Sequence, residues 1–235
     1  MGLSNRFLAA VAAACMLGSA GAAAPVVPDT MAQRALACTG CHQTGDTAVV
    51  GGYIPRIAGK PAGYLHEQLL NFRDGRRANA PMARLLDNLS DEFLRELADH
   101  FAALDAPYPP SSRARPSPTG PAAQRAAAWV RHGDPQRGIP ACQQCHGPAL
   151  TGIAPHVPGL IGLPSDYLVG QLGAWRNGVR HGRSPDCMAR IAGRLPAEAI
   201  PEIAAWLAAQ PMPPQPAPST TPPPSWPLSC GSIRP

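Results

Sequence analysis

The clearest pattern of apolar and polar positions is an amphipathic one that recurs near the end of each half of the chain. In the first half, one face of a predicted helix is formed by Phe93, Leu94, Leu97, Ala98, Phe101 and Leu104. Asp91 and Glu92 fall in the first turn of this helix, where negative charge suits the helix dipole. Pro196 is predicted to start the matching helix of the second half, because proline is tolerated in a first turn. The apolar face of that helix is formed by Ile200, Ile203, Ala204 and Leu207.

An internal repeat explains why the two halves resemble each other. Residues 55–77 align without gaps to residues 158–180, and ten of the 23 positions are identical. Such self-similarity at long range indicates two copies of one structural unit. Further helices are predicted at about 30–37, 61–74, 122–131 and 164–177. No convincing strand pattern appears, so the predicted fold class is all-α, with two tandem domains.

Composition divides the chain into five segments. The first carries a basic residue, a short apolar run and small residues, which together are typical of an export signal. Stretches rich in proline separate and follow the two repeat units, and proline-rich chain favours extended connectors. The predicted segments are a signal peptide at 1–24, a first domain at 25–107, a linker at 108–121, a second domain at 122–210 and a tail at 211–235.

The aromatic content and the charge of the chain limit the classes of function that it can have. Aromatic residues make up only 5% of the chain, so its two cores would be thin unless a large apolar cofactor completed them. Residues 25–107 carry 8 basic and 10 acidic residues, a net −2, whereas 108–235 carry 11 and 5, a net +6. Such a charge difference between the halves can orient a protein at a charged partner. Nucleic-acid binding is not expected, because basic and aromatic residues are not interleaved.

Each repeat unit contains a Cys-x-x-Cys-His motif, the attachment signature of haem c. Two thiols can bond the two vinyl groups on one porphyrin edge, and the adjacent histidine then lies under the iron. The predicted attachment residues are Cys38, Cys41 and His42 for the first haem and Cys142, Cys145 and His146 for the second. A zinc site, a thioredoxin-like motif and paired disulfides are weaker alternatives. Zinc would leave the methionine of each unit unexplained, and disulfides would leave the histidines unexplained. A thioredoxin-like motif needs a βαβ pattern, and none is visible.

Two methionines are the predicted sixth ligands of the irons. Met82 and Met188 follow their histidines by 40 and 42 residues and occupy the same place in both units. Ligation by histidine and methionine is the cytochrome c arrangement and raises the reduction potential. The alternative is that both methionines only fill gaps in the core. Met31 and Met212 are assigned to a core and to the tail.

Two further residue sets have open roles. Cys187 directly precedes Met188, so its thiolate could replace the methionine as ligand; alternatively, Cys187 pairs with Cys230 and fixes the tail. Repeated arginines at positions 73 and 176 are predicted to lie near haem propionates or at the interface between the domains, the alternative being ordinary solvated helix ends.

These motifs resemble the diheme cytochrome c4 family of bacteria. The resemblance covers roughly residues 30–210 and implies two class I cytochrome c domains, each wrapped around a covalently bound haem c. It implies iron ligands His42 with Met82 and His146 with Met188, and haems that face each other across a pseudo-twofold interface. The chain departs from the family pattern in its long linker, its tail with Cys230 and the absence of Gly-Pro after His42.

The expected function is electron transfer in the periplasm, without catalysis, because a six-coordinate iron has no vacant site for a substrate. The expected donor is a quinol-oxidising complex or a dehydrogenase, and the expected acceptor is a terminal oxidase or reductase. Any membrane association is expected to run through these partners. The alternatives are a diheme oxidoreductase, similar to thiosulfate dehydrogenase or a peroxidase, and a cytochrome subunit of a dehydrogenase complex.

Overall fold

A computed structural model describes residues 26–42, 48–49, 52–105 and 118–233. The predicted signal peptide and most of the predicted linker lie outside these residues, and the five segment boundaries stay predictions. Within the described ranges, no helix has both the length and the apolar character needed to cross a membrane.

The first repeat unit is helical apart from one short hairpin. Its elements are α1 (Met31–Arg34), α2 (Leu36–Thr39), β1 (Ala48–Val49), β2 (Gly52–Tyr53), α3 (Ala62–Arg73), α4 (Ala80–Leu86) and α5 (Asp91–Ala102). The strands β1 and β2 pair antiparallel, with Ala48 opposite Tyr53. The first predicted helix is therefore two short helices, α1 and α2, that meet at the buried Ala35.

The second repeat unit has the same order of elements. They are α6 (Gly120–His132), a 3-10 turn (Pro135–Arg137), α7 (Cys142–His146), β3 (Gly152–Ile153), β4 (Val157–Pro158), α8 (Ser165–Arg176), α9 (Cys187–Arg194) and α10 (Ala199–Ala208). The strands β3 and β4 pair antiparallel, with Gly152 opposite Pro158. The all-α prediction is confirmed, and each domain adds a two-stranded hairpin that the sequence pattern did not show.

Helix ends follow local capping, which corrects two predictions. Helix α10 begins at Ala199 rather than Pro196, because the Pro196 carbonyl accepts from the Ala199 N–H at 3.1 Å in a turn before the helix. The sequence pattern predicts a loop for each of the two segments that carry the methionines, but these segments are helical. They form α4 and α9, whose first turns are capped by the side chains of Asn79 and Asp186.

The longest helices of each domain pack together around a small apolar core. In the first domain α3 packs on α5, and in the second α10 packs on α6 and α8. The fully buried centres are Leu94 and Val130. The predicted core positions are confirmed: Leu94, Leu97, Ala98 and Phe101 are buried in the first domain, and Ile200, Ile203, Ala204 and Leu207 in the second.

The tail is extended and lies against the second domain. Ser219 bridges Ile153 of β3 in parallel, with hydrogen bonds of 2.8 and 3.0 Å to the backbone on either side of that residue. Near its end, Gly231 donates to the Pro185 carbonyl at 2.9 Å. The tail is therefore extended, as its proline-rich sequence predicts.

The two domains meet through the ends of α3 and α8. Arg77 and Arg180, which follow these helices at matched positions of the repeat, form an antiparallel bridge. The His181 N–H donates to the Arg76 carbonyl at 2.7 Å, and the Tyr53 and Tyr167 rings pack edge to face. Matched residues therefore face each other across the domain boundary, as a pseudo-twofold arrangement requires.

Replacing Leu94 with alanine tests the core of the first domain. The side chain is fully buried, so Leu94→Ala should lower the free energy of unfolding by about 2–5 kcal/mol. Denaturant titration of the haem-loaded protein measures this change. The matched control is Leu85→Ala on α4, since Leu85 is 50% exposed; it should stay within about 0.5 kcal/mol. Equal losses in both variants would contradict the assigned core.

Candidate haem-binding sites

Helix α7 presents the second Cys-x-x-Cys-His motif as one turn of helix. The Gln144 side chain accepts from the Ala141 N–H at 2.8 Å and so fixes the start of this turn. Helical spacing of three and four residues places Cys142, Cys145 and His146 on the same side. A porphyrin edge needs this arrangement, with two thiols beside it and an imidazole below.

A backbone carbonyl orients the imidazole of His146. The ring nitrogen Nδ1 lies 2.7 Å from the carbonyl oxygen of Pro158 at the end of β4. Since a carbonyl oxygen can only accept, Nδ1 carries the proton, which leaves the Nε2 lone pair for a metal. His146 is buried, and burial lowers the pKa of the imidazole, so it stays neutral. A neutral imidazole with a bare Nε2 is the ligand form.

The first motif repeats this arrangement in the other domain. The His42 N–H donates to the Cys38 carbonyl at 2.8 Å, which continues the turn begun in α2. The Nδ1 atom of His42 lies 2.8 Å from the Pro55 carbonyl. Pro55 and Pro158 are matched positions of the repeat, which predicts that they shape the loop against the haem face but not that their carbonyls bind the histidines. A proline repeated 13 and 12 residues after each histidine was the available signal.

The motif cysteines are unpaired thiols. Cys38, Cys41, Cys142 and Cys145 form no disulfide. Burial raises the pKa of the Cys142 thiol to about 11, and it also raises the pKa of Cys145. The described part of the chain contains no cluster of three or more His, Cys, Asp and Glu side chains arranged to hold a metal ion. Paired disulfides within the motifs are therefore excluded, and zinc binding gains no support.

The two candidate methionines occupy the first turns of short helices. The Met82 N–H donates to the Asn79 side chain at 3.1 Å at the start of α4, and Met82 packs partly buried against the first core. Met188 is the second residue of α9, where the Asp186 side chain accepts from the next N–H, that of Ala189, at 3.0 Å. Both side chains are half-buried, and their ligation stays a prediction.

The role of Cys187 is decided by a disulfide. Cys187 at the start of α9 is bonded to Cys230 in the tail, 43 residues later. A sulfur in a disulfide is not a thiolate, so the alternative that Cys187 ligates the second iron is wrong. The predicted pairing of Cys187 with Cys230 is confirmed. This removes the only sequence feature that favoured a catalytic haem.

The repeated arginines at the ends of α3 and α8 do not line the interface between the domains. Arg73 donates to the Leu89 carbonyl at 2.9 Å and pairs with Asp91 at 2.7 Å. Arg176 donates to the carbonyl of Leu195, the matched residue. Each arginine ties the segment after a methionine helix to its own domain, so their predicted place at the interface is wrong.

A different repeated pair forms the polar centre of the interface. Arg77 donates to Gln68 of its own domain at 2.9 Å and to Gln171 of the other at 2.7 Å. Arg180 donates to the same two side chains, to Gln171 of its own domain at 2.6 Å and to Gln68 of the other at 2.8 Å. Each guanidinium also lies over an aromatic ring of its own domain, Arg180 at 3.7 Å from the centre of Trp175. The repeat shows that these residues are identical in the two units, but it does not show that they contact each other across the interface.

The charge of this pair suits a cofactor that brings carboxylates. Arg180 is only 4% exposed, and burial, together with the charge of Arg77, lowers its pKa to about 10. Among the described residues, no carboxylate lies within ion-pair distance of either guanidinium. The buried Trp175 Nε1 also has no hydrogen-bond partner there. Haem carries two carboxylates, and buried guanidinium groups are stabilised by such partners. The residues present therefore fit haem.

Comparison with known proteins gives the same picture. A "thiosulfate dehydrogenase electron acceptor" of Thiomonas intermedia (strain K12) is 36% identical over 204 residues, covering 87% of this chain and 92% of the relative. Cytochrome c4 of Pseudomonas aeruginosa is 31% identical over 176 residues, covering 74% and 84%. No family model matches the chain.

Solved structures also match. Thiosulfate dehydrogenase (TsdBA) of Marichromatium purpuratum superimposes with a TM-score of 0.61 and 35% identity over 74% of this chain, which spans only 36% of that longer protein. Reduced cytochrome c4 of Pseudomonas stutzeri gives 0.59 and 26% identity, covering 75% of this chain and 95% of its own.

The fold, the repeated motifs and these relatives define a diheme c-type cytochrome, an electron carrier rather than an enzyme. The chain belongs to the cytochrome c4 family. The predicted absence of catalysis agrees with the electron-carrying roles for which its relatives are named.

Gln171→Leu tests the interface. The change removes an oxygen that accepts from both Arg77 and Arg180, so two guanidinium donors lose a partner. Because the Arg180 donor is buried and the Arg77 donor half-buried, we expect a loss of about 1–3 kcal/mol in the free energy of unfolding, measured by denaturant titration. Gln136→Leu, at an exposed position of the second domain, is the matched control and should change little. A loss no larger than that of the control would contradict the network.

Proposed function

We propose that this protein carries electrons from a thiosulfate-oxidising dehydrogenase towards a terminal oxidase or reductase in the periplasm. The observation that carries the proposal is the repeated Cys-x-x-Cys-His turn, whose histidine is oriented by a proline carbonyl in both domains. The thiosulfate dehydrogenase as donor is supported by relatives named as its electron acceptors, at 36% and 35% identity.

The residues proposed to hold the two haems are the cysteines and histidines of the motifs together with the matched methionines. They are Cys38, Cys41, His42 and Met82 in the first domain and Cys142, Cys145, His146 and Met188 in the second. When bound, each haem iron supplies a one-electron couple. The histidines present Nε2, and the methionines provide a polarisable sulfur that keeps the potential high.

The interface suits electron exchange between the two proposed haems. Arg77 and the buried Arg180 supply positive charge at the point where the domains meet, and their matched contacts hold the domains in one relative position. A fixed interface keeps the distance between two redox groups constant. Carboxylates of both haems would be drawn to this pair.

Methionine variants test the proposed ligands. Sulfur ligation of ferric haem gives a weak red absorption band, so Met82→Ala and Met188→Ala should each remove about half of its intensity, and the double variant all of it. The matched control is Met212→Ala, because Met212 packs against the second core and is not a proposed ligand; this variant should leave the band intact. Full intensity in either single variant would contradict that assignment.

The donor is tested by mixing. The oxidised protein is combined with a purified thiosulfate dehydrogenase and thiosulfate, and haem reduction is followed by absorbance. We expect both haems to be reduced within the turnover time of the dehydrogenase, and no reduction when thiosulfate or the enzyme is omitted. If only a quinol-oxidising complex reduces the protein, the proposed donor is wrong, while the carrier function stands.

A further inference from the structure

The tail touches the supports of both proposed iron ligands of the second domain. At Ser219 it forms a single parallel bridge beside β3, where the Ser219 N–H donates to the Gly152 carbonyl at 3.0 Å. At Cys230 it is bonded covalently to the residue before Met188. These two contacts lie 11 residues apart in the tail.

The contact at Ser219 supports the histidine side. Gly152 of β3 lies opposite Pro158 of β4, and the Pro158 carbonyl is the oxygen that holds Nδ1 of His146. The two backbone hydrogen bonds that Ser219 makes at one edge of this short hairpin stabilise it, because an isolated two-stranded hairpin is marginal in water. The tail therefore restrains the carbonyl that orients the imidazole.

The contact at Cys230 supports the methionine side. The disulfide fixes the first residue of α9, and the Gly231 N–H donates to the Pro185 carbonyl just before that helix. A Cβ at position 231 would lie 2.2 Å from the Ser184 oxygen, so only glycine permits this approach. The turn that leads into Met188 is thus held by a covalent bond and by close backbone packing.

The first domain has no comparable support. Its only cysteines, Cys38 and Cys41, belong to its attachment motif, so no disulfide can fix the start of α4. Among the described residues, the first turn of that helix is held by its Asn79 cap, a contribution of about 1 kcal/mol, and by packing against the first core. Two otherwise matched sites therefore differ in how firmly the methionine helix is anchored.

We propose that residues 211–233 form a brace that positions both axial ligands of the second haem, Met188 through the disulfide and His146 through the hairpin. This inference rests on the ligands named under the proposed function. The disulfide keeps the start of α9 in place, so that Met188 would hold the iron of a bound haem and would exchange slowly with external ligands. The haem of the first domain lacks this protection.

Cyanide exchange tests the methionine arm of the brace. In the full-length ferric protein we expect cyanide to displace methionine in two kinetic phases, and the phase lost in Met188→Ala is assigned to the second haem. The double variant Cys187→Ser/Cys230→Ser should accelerate that phase by about tenfold or more and leave the other unchanged, because the methionine helix opens more often. Replacing both cysteines avoids a free thiol beside the iron.

The hairpin arm is tested by Ser219→Pro, which removes the N–H that bonds Gly152. The Nδ1 hydrogen bond raises the basicity of a histidine ligand and favours ferric iron, so a looser Pro158 carbonyl should raise the midpoint potential of one haem only. Ser225→Pro, at an exposed tail position outside both contacts, is the matched control and should change neither potential.

The outcomes separate the two proposals. If Met188→Ala removes no phase, the ligand assignment fails and the brace fails with it. If Met188→Ala removes a phase but the cysteine and Ser219 variants keep normal exchange rates and potentials, the brace is overturned and the ligands stand. Equal changes at both haems would also overturn the brace, since they would indicate a general loss of stability.

Discussion

Two neighbouring guanidinium groups at the domain boundary, one buried and one half-buried, form the interaction on which the arrangement of this protein depends. Arg77 and Arg180 share the oxygens of Gln68 and Gln171, so each domain completes the hydrogen bonds of the other. Burying two like charges together is costly, and the lowered pKa of Arg180 reflects that cost. Hydrogen-bond acceptors from both domains offset part of it, and the proposed haem carboxylates would offset more. The same two arginine charges therefore contribute both to domain docking and to the proposed binding of the haem carboxylates.

The repeat makes the two sites alike, and the tail makes them different. Both histidines bond a proline carbonyl, and both methionine helices begin at a side-chain cap. Only the second site is joined to a tail, by a disulfide and by a strand contact. The second half is also the more basic one. Two haems held in equivalent folds can thus differ in potential and in partner preference, which suits a carrier that accepts and donates at different sites.

Most helices and both attachment motifs could be predicted, because each depends on residues close together in the chain. The amphipathic faces around Leu94 and Ile203 are examples, and both are buried as expected. Predictions failed where a residue had several available partners. Pro196 can precede a turn as well as start a helix. Arg73 ends a helix, and Arg77 follows it by four residues in the same repeat. The spacing of residues in the sequence does not show which of these two arginines contacts the other domain.

The sequence by itself determined that this chain is a diheme cytochrome with two helical domains. Covalent attachment and proximal ligation need cysteines and a histidine within five positions, and such local chemistry is fully written in the order of residues. Tertiary structure decided which repeated side chains meet and what Cys187 does. Arg77 and Gln171 are 94 positions apart, and Cys187 and Cys230 are 43 apart. Contacts at such separations depend on how the folded domains pack, and no local pattern specifies that packing.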